Sequence, residues 1–211
     1  MIYKVHDIFA TPVFSSKDFL SEENLKDLFE SAKNEEYKKT PSESKISLTN
    51  NFLKKFPTIK NDILKVFEDY CLNILKINLG ELQFKMGSSW TTLTKPNDTS
   101  HQHFHSNYYY SGVIYLSENP SPISFYLGPY IYNFRERFTF NHTHTNKYNT
   151  DKVTYYPEKN ELIFFPSYVT HQIEKNISDK DRYSLAFNIH PSGVYGQKDS
   201  KIHVEVFDDL E

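Results

Sequence analysis

The sequence is poor in cysteine, glycine and long apolar runs, and each shortage closes off a class of protein. A single cysteine, Cys71, in 211 residues excludes an internal disulfide framework and a zinc site built on several thiolates. It suits a reducing compartment, so a cytoplasmic location is expected. No apolar run approaches the ~20 residues needed to cross a bilayer. The opening MIYKVHDIFATPVF lacks a basic flank followed by an apolar core, so no signal peptide is expected. A charge surplus is missing too: 24 basic and 27 acidic side chains give a net charge of −3, with no long block of one sign. A chain that held nucleic acid mainly through its phosphates would show a basic surplus or stripe, so nucleic acid is not the expected partner. What is abundant is aromatic. Seventeen Phe and sixteen Tyr imply a core built from large rings, with tyrosines at half-buried boundaries where the hydroxyl stays paired.

The length suits one domain, 1–211, with its own core, and no repeat or low-complexity linker divides it. The hydrophobic period changes along the chain instead. Over 22–35, Leu25, Leu28, Phe29 and Ala32 recur at helical spacing after Ser21, a good N-cap. Over 58–77 the pattern repeats with Ile59, Ile63, Val66, Phe67, Tyr70 and Ile74, and Pro57 stands at the entrance. Cys71 falls in this second helix and reads as a small core residue. From about residue 82, β-type segments follow one another at 83–94, 108–116, 122–127, 161–165, 169–174, 182–190 and 202–207. Turn clusters such as Lys95-Pro96-Asn97-Asp98, Glu118-Asn119-Pro120 and Glu158-Lys159-Asn160 separate them. A helical part over 1–80 packed on a strand-rich core over 82–207 implies an antiparallel sandwich or barrel with helices outside. The polar, aromatic stretch 128–152 has no clear period and reads as a lid or binding loop.

Side chains at i and i+2 of a strand share a face. In RYSLAFNI, one face carries Arg182, Ser184, Ala186 and Asn188, and the other Tyr183, Leu185, Phe187 and Ile189. The apolar face can pack on a second sheet or on the helices. The small, polar face with its cation fits either solvent or the inside of a ligand-holding barrel. The run HQHFHSNYYYSGVIYL poses a similar choice. His101, His103 and His105 share a parity, and a strand continuing in register would add Asn107, Tyr109, Ser111, Val113 and Tyr115. A neutral imidazole suits zinc, copper, nickel or iron, yet one strand cannot surround an ion. The cluster alone is equally a wet strand edge. His171, in FFPSYVTHQIEKN, can supply a third ligand. Arg182 follows eleven residues later with Ser184 beyond it, and a guanidinium is the natural fork for a carboxylate.

These pieces together resemble the Fe(II)/2-oxoglutarate-dependent dioxygenases, and more narrowly the small 2OG-Fe(II) oxygenase family of bacteria and phages. The segments that carry the resemblance are DIFATPVF, SSWTTL at 88–93, HFHSNYYYSGVIYL at 103–116, ELIFFPSYVTHQI at 161–173 and RYSLAFNI at 182–189, in family order. The resemblance implies a double-stranded β-helix, or jelly roll, with a metal between its sheets and 2-oxoglutarate along the interior. His103, His105 and His171 would be the Fe(II) ligands, with His101 outside the set. Arg182, assisted by Ser184, would bind the distal carboxylate of 2-oxoglutarate, and Tyr109, Tyr115, Trp90 and Asn188 would line the pocket. One position departs from the superfamily pattern, which usually places Asp or Glu where His105 stands. Three neutral ligands leave the site one negative charge short; Asp98 is a candidate carboxylate from elsewhere.

The activity implied is hydroxylation of a second substrate, a small molecule or a peptide, by O₂, with release of succinate and CO₂. A cavity walled by Tyr and Phe would exclude water. Two rivals stand beside it: a cupin-like three-histidine metalloenzyme that does not use 2-oxoglutarate, with Arg182 on a substrate carboxylate, and a jelly-roll binding or structural module without chemistry. His142 and His144 read as part of a solvated loop, and His6, His190 and His203 as ordinary surface or hydrogen-bonded histidines. No membrane partner is expected, and homo-oligomerisation is left open.

Overall fold

The structure, a computed structural model, describes residue 4, residues 10–128 and residues 143–207. The strands are β1 (Phe14–Ser16), β2 (Tyr37–Lys39), β3 (Lys45–Ser47), β4 (Leu82–Thr94), β5 (Tyr110–Tyr115), β6 (Ile123–Tyr126), β7 (Lys152–Tyr155), β8 (Leu162–Pro166), β9 (Thr170–Ile173), β10 (Arg182–Tyr195) and β11 (Ile202–Val204). Two helices, α1 (Glu22–Lys33) and α2 (Pro57–Asn73), fall between the early strands. The large sheet runs β1-β8-β5-β10-β4-β3-β2, with β11 added along β10; a small sheet runs β7-β6-β9. Every strand pairing is antiparallel.

Both helices form where the spacing predicts. The Ser21 hydroxyl accepts the Asn24 N–H at 3.2 Å, satisfying one of the donors left open at a helix start. Glu22 and Glu23 sit in the first turn and Lys33 in the last, as the helix dipole favours. Pro57 opens α2. That helix ends at Asn73, so Ile74 is exposed rather than on the buried stripe. Cys71 is fully buried, and burial pushes its thiol up to about 12, which leaves it a packing residue.

Period-two alternation divides the core into two layers. Tyr110 and Ile114 of β5, Leu162 and Phe164 of β8, and Leu185, Phe187 and Ile189 of β10 face the helices, where they meet Leu28, Ile63 and Phe67. The alternate residues Val113, Tyr115, Ile163, Phe165 and Ala186 face the other way and pack on Ile123 and Phe125 of the small sheet. The apolar face of β10 therefore packs on the helices, and its Arg-Ser-Ala-Asn face looks between the sheets. Fully burying a Phe contributes about 2–3 kcal/mol, and Phe52, Phe67, Phe164, Phe165 and Phe187 are all buried.

The turns are set by asparagines. Asn97, Asn119 and Asn160 have positive φ (72°, 50° and 61°), a conformation asparagine tolerates better than most residues. Asn160 also pins the N-terminal segment: its Oδ1 accepts the Leu20 N–H at 2.9 Å and its Nδ2 donates to the Leu20 carbonyl at 2.8 Å.

The expected β segments leave out β7, and β10 runs on to Tyr195; two further differences bear on the site. Strands β1, β2 and β3 join the large sheet from among the helices, so the helical part and the strand core share one sheet. The extension through 101–109 does not continue in register, because Asn107 takes φ 66° and β5 begins only at Tyr110.

Candidate metal centre

His103 lies opposite His171 of β9 in an antiparallel bridge. The His103 N–H donates to the His171 carbonyl at 3.0 Å, and the His171 N–H returns to the His103 carbonyl at 2.8 Å. Two residues on, the His105 N–H donates to the Ser167 carbonyl at 2.9 Å. The histidine segment is thereby fixed along the chain that leads into β9. The three rings converge, with centroids 4.4 Å apart for His103–His171, 5.1 Å for His105–His171 and 5.2 Å for His103–His105. One nitrogen from each lies within 4.8 Å of the others, and no carboxylate joins the group among the described residues.

Each imidazole has its Nδ1 engaged by oxygen. His103 Nδ1 meets the His101 carbonyl at 2.9 Å, and His171 Nδ1 meets the Val169 carbonyl at 2.9 Å. A carbonyl can only accept, so both rings carry Nδ1–H. His105 Nδ1 lies 2.6 Å from Asn188 Oδ1 and 2.9 Å from Ser111 Oγ. Asn188 is oriented in turn: its Nδ2 donates to Ser88 Oγ at 3.1 Å, and its Oδ1 also accepts from Ser111 at 2.8 Å. All three rings are thus left with Nε2 as the free nitrogen. Ligating histidines are commonly fixed in this way through their second nitrogen.

Burial keeps these rings neutral. It pushes the His171 pKa down to about 3, with a further contribution from His103. Burial likewise lowers His103 and His105, although the hydrogen bond to Asn188 partly offsets the effect at His105. A neutral imidazole is the form that binds a metal. The donor set therefore fits a borderline divalent ion such as Fe(II).

The rings open into a cavity of about 410 Å³, within the usual size for a small-molecule site. Its inner walls include Trp90, Val113, Ile123, Phe165, Ile173 and Ala186. Trp90 lies 5.6 Å from the His105 ring. Among the described residues no tyrosine lines the cavity, and its aromatic side chains are Trp90 and Phe165. Ser184 lines it and shares a 2.5 Å hydrogen bond with Thr92. Arg182 is 8% exposed and is not itself among the residues lining the cavity, but Ser184, two residues along β10, and its cross-strand partner Thr94 both line it. Its Nη1 donates to Ser121 Oγ at 2.5 Å, while its buried Nε has no partner among the described residues.

Other residues singled out from the sequence lie elsewhere. Tyr109 is 38% exposed and stacks against Phe84, away from the cavity. Tyr115 is buried between the sheets, but its hydroxyl, raised by burial and by nearby Glu161 and Tyr155, does not reach the cavity wall. Asp98 closes its own turn, with Oδ2 accepting the Lys95 N–H at 3.3 Å. His101 lines the mouth with its ring exposed. His144 is exposed in a loop stitched by Asn146 and Asn149. His190 contacts the Pro191 carbonyl, and His203 is exposed on β11. His6, His142 and most of the 128–152 stretch lie outside the described residues. Ser88, Ser111 and Ser121 were not singled out as site residues. Ser88 falls in the SSWTTL segment and Ser111 shares the parity of the three histidines, while Ser121 carries no sequence signal.

Residues 88–188 match the family described as "Putative 2OG-Fe(II) oxygenase". This stretch is a 2OG-Fe(II) oxygenase domain. It spans Trp90, all three converging histidines and Arg182, and it places this stretch among the oxidoreductases. No curated protein matches the sequence. Among solved structures, the fold is similar to an oxidoreductase of the 2OG-Fe(II) oxygenase family from Burkholderia pseudomallei, with TM-score 0.59, 8% identity and 84% of each chain covered. It is similar to a prolyl-4-hydroxylase from Pseudomonas putida, with TM-score 0.57, 13% identity, 85% of this chain and 93% of that one. A third is HygX from Streptomyces hygroscopicus, solved with nickel and 2-oxoglutarate bound, with TM-score 0.54, 9% identity, 85% of this chain and 83% of that one. The oxygenase domain accordingly has the double-stranded β-helix fold. Among the described residues no helix is long and apolar enough to cross a membrane.

Proposed function

We propose that the protein is an Fe(II)/2-oxoglutarate-dependent dioxygenase that hydroxylates a second substrate and releases succinate and CO₂. The observation that carries this reading is the convergence of three imidazoles, each with Nδ1 tied to an oxygen and Nε2 free. His103, His105 and His171 hold Fe(II), which when bound supplies the oxidising chemistry with O₂. Asn188 and Ser111 keep the His105 ring turned toward it.

Arg182 supports the second half of the reading. A buried charge without a partner costs on the order of several kcal/mol, and among the described residues Arg182 has a neutral hydroxyl at Nη1 and nothing at Nε. The distal carboxylate of 2-oxoglutarate, bonded through the guanidinium fork, meets that need. Ser184 and Thr92 add hydroxyls to the wall beside it. Trp90, Val113, Phe165 and Ala186 keep water from the reacting centre.

The test is anaerobic addition of Fe(II) and then 2-oxoglutarate. The reading expects a visible charge-transfer absorption that appears only with both present and is lost in His103→Ala and His171→Ala. Admission of O₂ should then give succinate. Metal binding without any response to 2-oxoglutarate would favour a three-histidine metalloenzyme of the cupin type instead.

A further inference from the structure

Strand register runs a single row of side chains across the inner face of the large sheet. Lys38 of β2 is opposite Ile46 of β3, Ile46 is opposite Thr92 of β4, and Thr92 is opposite Ser184 of β10. All four line the cavity. The neighbouring residue Tyr37 confirms which way the strand faces. Its hydroxyl meets the Ala32 carbonyl and Thr91 Oγ1, both at 2.8 Å, and its ring packs edge-on to Tyr183 on the helix side. Alternation therefore puts Lys38 on the cavity side of the sheet, where it is exposed. It stands three strand spacings from Ser184, roughly 14 Å away, at the mouth opposite the 2-oxoglutarate end.

Charge in the cavity is one-sided. Lys38 and Lys39 line it, and among the described residues no Asp or Glu does, although acidic residues outnumber basic ones in the chain as a whole. Among the described residues neither lysine pairs with a carboxylate. If the proposed function holds, a divalent ion and a dicarboxylate cancel, and three neutral imidazoles add nothing. Among the described residues no carboxylate joins the imidazoles, so Arg182 and Lys38 leave the loaded site positive. Low-dielectric walls lined by one sign of charge concentrate counter-ions.

We infer that the second substrate carries an anionic group, carboxylate or phosphate, which Lys38 binds at the cavity mouth while the apolar walls hold the part to be oxidised. This rests on the oxygenase reading for the place of 2-oxoglutarate, but the lysine row itself does not depend on it.

The test uses protein loaded with nickel and saturating 2-oxoglutarate, titrated with phenylacetate, phenyl phosphate and the neutral phenylacetamide, and read by ligand-observed NMR and calorimetry. At least one anion should bind about tenfold more tightly than the amide. Lys38→Met should remove that preference and leave amide and 2-oxoglutarate binding unchanged. A tighter phosphate assigns a phosphate monoester and a tighter carboxylate a carboxylic acid; both support the inference. Equal binding of amide and anions, no binding of either anion, or a preference that survives Lys38→Met overturns it. If 2-oxoglutarate itself does not bind, the oxygenase reading falls, and the same series on nickel-loaded protein alone still decides the role of Lys38.

Discussion

Asn188 holds His105. Its Oδ1 accepts from His105 Nδ1 at 2.6 Å, while Ser88 engages its Nδ2 and so fixes which end of the amide faces the ring. An aspartate in the ligand position would have no proton to offer that oxygen. The replacement of the usual carboxylate by histidine thus has a matching partner on β10.

Asn188→Leu should therefore weaken metal binding by about tenfold to a hundredfold, the usual cost of losing a ligand's hydrogen-bond partner. Asn188→Asp, which still accepts from Nδ1–H, should stay close to wild type. Metal titration of the two variants checks the claim; equal affinities would remove Asn188 from the positioning of His105.

Arg182→Met separates stability from ligand binding. It removes a buried cation that has no carboxylate partner among the described residues, so the ligand-free protein should be as stable as wild type or more so. Affinity for 2-oxoglutarate should fall at least tenfold, with metal affinity retained. Calorimetry and denaturant unfolding give the two numbers, and a large loss of stability would show that the guanidinium is structural.

The buried histidines make the metal-free protein acid-sensitive. In the folded state His171 is lowered from 6.5 to about 3, and His103 and His105 are lowered too. Below pH 6.5 the unfolded chain binds protons that the folded one refuses, so stability falls as pH drops from about 6.5 toward about 3 and is level above that range. Urea unfolding at pH 7.5 and 5 should show the loss, and His171→Gln should flatten it.

Gly112 tests the packing behind the site. A Cβ there would lie 2.4 Å from ring atoms of Phe187 and 3.0 Å from the Ile163 carbonyl. Gly112→Ala should cost about 1–3 kcal/mol through overpacking, read as a shift in the denaturant midpoint.

Long-period features could be read from the sequence, and pairing-dependent ones could not. Helical spacing located α1 and α2, and alternation in RYSLAFNI separated the face that packs on the helices from the face that meets the cavity. The three converging histidines, Ser184 and the buried Arg182 were all singled out from spacing and motif. Strands β1, β2 and β3 have three residues each, too short to show a period, and they exist because the long strands offer edges. Lys38 was missed for that reason: nothing local marks it, and its place on the cavity side follows from a register passed across β3, β4 and β10. Tyr109 was placed on the inner face by extending the histidine parity, which the left-handed backbone at Asn107 interrupts.

The central claim is that the three histidines, with no carboxylate among them, hold Fe(II) beside 2-oxoglutarate. Crystals grown and soaked anaerobically with both, and measured at the iron absorption edge, test it most directly. The account predicts one anomalous peak bonded to Nε2 of His103, His105 and His171, with 2-oxoglutarate running from it to Arg182. A peak that leaves His105 unbonded, or none between these rings, would contradict it.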